Sequence, residues 1–300
     1  MRNEISGISN KPNKRRIPLI VYGILFLFFF SCIKTNTVSE DNKMIITAAS
    51  PQTNNEQSQN TVSQNQDLSV ISAVIANASL PQNIAKKIQE NIVSNPSFIL
   101  ELTVILQKDT FLWLLVDKER SLPEDYEPQD LVELKNSSYR VNRNDLFLRS
   151  AAAASLEEMA QAARQDGLIL LVSSAFRSYG YQVQLYQRYV REMGQQAADK
   201  ISARPGHSQH QLGLVVDFGS IDDSFALTAE GRWLTANASR FGWSLSYPQG
   251  YEEITGYSWE CWHFRYTGKD LAAFIDNYFG GIQQYALRFI YEWNKMGRNE

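Results

Sequence analysis

The chain has 300 residues, 44% of them hydrophobic and 12% aromatic, which is enough apolar mass to bury one medium-sized core and too much for a wholly disordered polymer. Its formal net charge of -3 offers no basic field to a phosphate backbone, so nucleic acid is set aside as a partner. Cys32 and Cys261, the two cysteines, lie far apart in unlike surroundings and argue against a disulfide framework.

At the N-terminus Lys11, Lys14, Arg15 and Arg16 precede an apolar run from Ile17 to Phe30, followed by Ser31 and Cys32. This is the layout of an export signal. The run is shorter than the roughly 20 apolar residues that span a bilayer comfortably, which makes a permanent transmembrane anchor the weaker reading. Phe29, Phe30, Ser31 and Cys32 resemble a bacterial lipobox, although the two phenylalanines depart from its usual pattern. Residues 1–32 are therefore expected to be signal peptide and lipobox, with Cys32 the lipidation site. An uncleaved anchor or simple secretion is the alternative. The expected product is an exported, membrane-anchored lipoprotein facing the periplasm or cell wall. Residues 33–67, dominated by Asn, Gln, Ser and Thr, hold too few large apolar side chains to offset the entropy of ordering and read as a disordered tether.

Between residues 68 and 108 the apolar positions Val70, Ile71, Val74 and Ile75, then Ile84, Ile88 and Ile92, suggest two or three short helices that pack or space and carry no chemistry. The main domain is placed at 109–300. Leu112 to Val116 suits a strand, and Leu122-Pro123-Glu124-Asp125 a turn. Leu156, Met159, Ala160 and Ala163 share one face of a helix over 149–166 that Gly167 stops. Leu168 to Val172 reads as a buried strand, Tyr181 to Met193 as a helix, Arg232 to Arg240 as a short helix, and Trp243 to Tyr247 and Phe264 to Tyr266 as strands. Leu271, Phe274, Ile275 and Tyr278 return to helical spacing. Helices and strands mix without βα alternation, so the expected class is α+β, a small central antiparallel sheet with flanking helices, preceded by a short helical segment.

All three histidines, His207, His210 and His263, fall in two polar-aromatic blocks. In the first, His210 is followed by Asp217 at the end of an apolar strand; in the second, Glu260 precedes His263. His210, Asp217 and His263 would give one zinc ion three nitrogen and oxygen ligands and leave a tetrahedral position open, the mark of a catalytic site. Glu260 stands beside the third ligand as the base that takes a proton from water.

These blocks resemble the signature of the VanY-type D-alanyl-D-alanine carboxypeptidases, within the zinc peptidase superfamily that also holds lysostaphin-like endopeptidases and the hedgehog signalling domain. Ser208-Gln209-His210-Gln211 through Gly213 and Asp217 matches the first block, and Glu260 through Tyr266 the last. Ser246-Tyr247-Pro248 through Thr255-Gly256-Tyr257 reads like the lead into the last block, and the likeness runs from about Leu112 to Gly268. The resemblance implies the LAS/hedgehog-like fold, one zinc ion per chain and peptidoglycan stem peptides as substrate. It implies hydrolysis that releases the C-terminal D-alanine, with L,D-carboxypeptidase or cross-bridge endopeptidase activity, or a non-catalytic wall-binding module, as rivals. Ser174 through Gln182 resembles the family block in which an arginine and a glutamine hold the substrate end, so Arg177 is expected to anchor substrate or stabilise the oxyanion. Gln182 and Ser208 are expected as lesser substrate contacts. His207 reads as a rim or structural residue, and Tyr179, Tyr247 and Trp262 as groove or core aromatics. Cys261 replaces the family's proline and reads as a buried filler, and Gln209 stands where a glutamate is frequent.

Overall fold

The computed structural model describes residues 69–94 and 97–296. Cys32, the apolar run before it and the tether expected over 33–67 lie outside the described residues. Among the described residues no helix is long and apolar enough to cross a membrane. The chain is helical over residues 69–77 (α1), then in α2 (Gln82–Ser94) and α3 (Ser97–Leu106). Next come β1 (Leu131–Glu133), β2 (Arg140–Val141) and β3 (Phe147–Arg149), then α4 (Ser150–Gln165), β4 (Leu171–Ser174), α5 (Tyr179–Met193) and α6 (Gln195–Ile201). The second half carries β5 (Val215–Phe218), α7 (Ala229–Asn237), β6 (Trp243–Leu245), α8 (Glu252–Thr255), β7 (His263–Tyr266), α9 (Lys269–Phe279) and α10 (Gln283–Met296). The molecule is α+β, as expected.

β1 and β3 form a two-stranded ribbon, and the main sheet runs β2-β4-β5-β7-β6. It is antiparallel except at its edge, where β2 lies parallel to β4. β5 is buried at all four residues, so its Val215-Val216-Asp217-Phe218 carries no polar alternation and its aspartate is carried inward with the core. The stripe Leu156, Met159, Ala160 and Ala163 of α4 shares one core with Val172, Val216, Phe218, Trp243 and Phe264.

Leu112 to Val116 does not form the expected strand. A 3-10 turn covers Thr110–Leu112, and the guanidinium of the fully buried Arg265 takes the carbonyls of Phe111, Leu112 and Leu114 at 2.9 to 3.3 Å, so these acceptors bond a side chain in place of a neighbouring strand. The strand read at Leu168 starts later, at Leu171, because the Leu168 amide closes the end of α4 by donating to Ala163.

A second core joins α1, α2 and α3 to α9 and α10, the last of which has no counterpart among the elements read from the sequence. Phe98 is wholly buried there against Phe274, Tyr278 and Phe289, with ring centroids 5.0, 4.9 and 5.7 Å away. Phe98→Ala is expected to cost about 3–5 kcal/mol of stability, from lost burial plus the cavity left behind. Urea unfolding followed by tryptophan fluorescence measures this. One cooperative transition, shifted down, is the expected result; a shift confined to a separate early transition would mean that the N-terminal helices unfold on their own.

Candidate metal centre and cleft

His210 is carried by a 3-10 turn, Gln209–Leu212, which Ser208 opens by accepting the His210 amide at 3.3 Å. Gly213 closes the turn at φ 69°, where a side chain would be strained and its Cβ would press on Arg149 and Leu131 at 3.0 Å. The chain then enters β5, the middle strand of the sheet, and brings in Asp217. Asp217 pairs with Ser174 of β4 on one side and with His263 of β7 on the other, so the strand register itself sets the aspartate beside the second histidine. Glu260 sits in the turn before β7, held by a bond from its amide to the Tyr247 carbonyl and one from the His263 amide to its own carbonyl.

His210, Asp217 and His263 each turn one donor atom to a common point, all within 4.8 Å of one another. His210 Nε2 lies 3.2 Å from Asp217 Oδ2, and His263 Nδ1 lies 3.2 Å from both Asp217 Oδ1 and Glu260 Oε2. Of these atoms, His210 Nε2 and Asp217 Oδ1 are both buried without a hydrogen-bond partner. Orphaned buried polar atoms are costly, and a cation at their meeting point would satisfy both. The donor set, two imidazoles and a carboxylate, suits zinc.

The surroundings prepare these groups. His210 Nδ1 lies 2.6 Å from the Ala175 carbonyl, which fixes the proton on that nitrogen and leaves the lone pair of Nε2 facing the site. Burial, and then the nearby Arg177, lower the His210 pKa to about 4, so its ring is neutral at physiological pH. Burial opposes the charge of Asp217, but His210 and Arg177 outweigh it and hold the carboxyl well below its usual range. Burial likewise opposes a proton on His263, yet the carboxylates of Asp217 and Glu260 outweigh it and raise its pKa. Tyr247 packs in tilted contacts against His263 and Tyr257, with ring centroids 4.7 and 4.8 Å away, which limits the imidazole's freedom.

These groups form the floor of an open cavity of about 250 Å³ whose wall includes Arg177, Ser208, Glu260 and Trp262. Arg177 donates to Asp217 Oδ2 at 2.6 Å and to the Ser174 hydroxyl at 3.0 Å, and its side chain is 18% exposed toward the cleft. Of the expected site residues, His210, Asp217, His263, Glu260, Arg177 and Ser208 therefore meet in one place. Gln182 does not. It is buried behind the wall, where its amide donates to the Ala203 carbonyl at 2.7 Å and to Ser202, so the direct substrate contact expected of it is corrected to a brace of the wall. His207 bonds the Asp117 carbonyl at 2.7 Å and is structural. Tyr247 and Trp262 do line the cleft; Tyr179 lies outside it. Cys261 is buried near the Asp222 carbonyl, and burial raises its thiol pKa. Gln209 joins a buried network with Ser246 and Gln283, in which its carboxamide both accepts and donates.

Sequence reasoning gave no site role to several wall residues, Ser174, Arg143 and Arg188 among them. Arg188 left a signal, since it shares a helix face with Tyr181 and Leu185; Arg143 left none.

An α+β scaffold that brings two histidines and an aspartate to the floor of a cleft, with a glutamate and an arginine on its wall, defines the LAS-type peptidase class. Residues 145–269 match the VanY family, described as D-alanyl-D-alanine carboxypeptidase. The chain belongs to that family. It is 32% identical over 195 residues to the D-alanyl-D-alanine carboxypeptidase of Enterococcus faecalis, covering 61% of this chain and 69% of the relative. It is 35% identical over 179 residues to the YodJ protein of Bacillus subtilis, covering 57% of this chain and 66% of that one, just under two thirds. A solved structure of the D,D-pentapeptidase VanY from a VanB-type vancomycin resistance cassette, in complex with Zn(II), superimposes with a TM-score of 0.50 at 31% identity, covering 59% of this chain and 99% of that one.

Proposed function

We propose that this chain is a zinc-dependent carboxypeptidase that releases the C-terminal D-alanine of peptidoglycan stem peptides. The observation that carries the reading is the pair of orphaned buried polar atoms, His210 Nε2 and Asp217 Oδ1, on the floor of a cleft that Glu260 and Arg177 also line. His210, Asp217 and His263 would hold one zinc ion, which supplies a Lewis acid and lowers the pKa of water to roughly 7. The remaining work belongs to the chain. Glu260, whose carboxylate is 14% exposed on the wall, takes the proton of the attacking water and returns it to the leaving amine. Arg177 offers its fork to the terminal carboxylate or to the oxyanion that develops on the cut carbonyl. A guanidinium on the cleft wall that could clamp a terminal carboxylate favours an exopeptidase over a cross-bridge endopeptidase.

We also propose that the chain is exported and anchored at the membrane through acylated Cys32, with residues 33–67 as the tether that lets the catalytic domain reach the wall. The basic and then apolar N-terminus supports this.

The test is mass spectrometry of purified muropeptides after incubation with the protein. Release of a single terminal D-alanine, stopped by a chelator and restored by zinc, is expected. A cut between D-alanine residues, before a lone D-alanine, or within a cross-bridge assigns D,D-, L,D- or endopeptidase activity respectively. No release, or release that a chelator leaves intact, overturns the proposal.

A further inference from the structure

Two arginines of the cleft have no part in this chemistry. Arg188 lies on α5 with Tyr181 and Leu185, at spacings that put all three on one helical stripe along the cavity wall. Arg143 follows β2 at the edge of the sheet and lines the same cavity. Both are exposed. Among the described residues Arg188 makes no ion pair; it lies 5.4 Å from the ring of Tyr189. Arg143 comes no closer to a carboxylate than 3.7 Å from Asp145, in a contact where the two side chains are 42% and 75% exposed, too solvated to hold the guanidinium. Arg177, the third guanidinium of the cavity, is by contrast engaged by Asp217 and much less exposed.

A guest in this cleft therefore meets one guanidinium held by Asp217 and two exposed ones held only by weak contacts, with apolar surface from Tyr181, Leu185 and Ile221 nearby. A guanidinium fork matches a carboxylate with two parallel donors. If Arg177 and the metal centre take the end of the peptide that is cut, the outer pair faces what lies upstream of that bond. We propose that Arg143 and Arg188 form a second anion subsite, which selects peptides carrying a free carboxylate on the residue just before the terminal dipeptide. The location of this subsite relative to the cut bond rests on the carboxypeptidase reading; its preference for a carboxylate does not.

Two peptides ending in D-alanyl-D-alanine test it, identical except that the preceding residue carries either a free side-chain carboxylate or its carboxamide. The full chain is expected to prefer the acid by about fivefold in KM, the scale of two partly exposed ion pairs, with kcat alike for both. Raising the salt concentration should shrink the preference, because exposed charges are screened. The Arg143→Gln, Arg188→Gln double variant should bind the two peptides alike. Calorimetric titration of the same pair reads the preference without turnover, so absence of cleavage would sink the peptidase reading while the subsite still stands or falls by binding. No preference in the wild type, a preference that survives in the double variant, or an equal loss of affinity for both peptides would overturn the subsite.

Discussion

Glu260→Gln is expected to keep its zinc and lose turnover by about 10²- to 10⁴-fold, the range that general acid-base catalysis supplies. The substitution changes almost nothing in shape. A carboxamide fills the same space at the cavity wall, beside the His263 ring that Glu260 Oε2 now approaches at 3.2 Å. What it removes is the ability to accept a proton from water and to hand it to the departing amine. KM should move little, because Glu260 is assigned no grip on the substrate. Steady-state kinetics on a D-alanyl-D-alanine peptide, with metal content measured on the same preparation, separates the outcomes. Near-normal turnover would remove Glu260 from the mechanism. A simultaneous loss of zinc would make it a metal ligand and leave the base unassigned.

The second large effect concerns the floor of the cleft. His210→Ala, Asp217→Ala and His263→Ala should each weaken zinc binding by more than about 10²-fold, since loss of even an outer partner of a ligand costs 10- to 100-fold. Elemental analysis of purified protein measures occupancy. Thermal unfolding adds an independent readout, because a metal bound only by the folded state raises its stability by mass action: zinc should raise the Tm of the wild type and leave these variants unmoved. Asp217→Asn guards against a folding artefact. It keeps the volume of a side chain that is 2% exposed at the centre of the sheet, yet removes the charge between His210 and His263. Full zinc occupancy in all three alanine variants would dismiss the site.

Much of this was legible in one dimension. The chemistry-bearing residues cluster in short blocks, because a turn that presents a ligand and a strand that buries one are local objects: Ser208, Gly213 and the apolar run of β5 mark the first, and Glu260 with His263 the second. Periodicity located α4 and α9 for the same reason, as a helix buries one stripe whatever it packs against. Where the reading failed, a distant partner decided. Leu112 to Val116 looks like a strand, but the buried guanidinium of Arg265, from far along the chain, takes the Leu112 and Leu114 carbonyls in place of a neighbouring strand. Gln182 belongs to the right block but faces the backbone after α6.

The sequence by itself determined which residues could serve a metal and which could move a proton, since those are properties of side-chain chemistry and close spacing. The tertiary structure alone decided that they meet. Asp217 and His263 are joined by strand register, a pairing that neither strand encodes in isolation. The same holds for Arg143 and Arg188, solvated charges in the sequence that become one wall when a sheet edge and a helix are brought to the same cleft. It holds too for the N-terminal helices, whose apolar stripes announce burial without naming a partner; packing against α9 and α10 supplies it, because apolar burial is non-directional and the choice of surface is made only when the whole chain has folded.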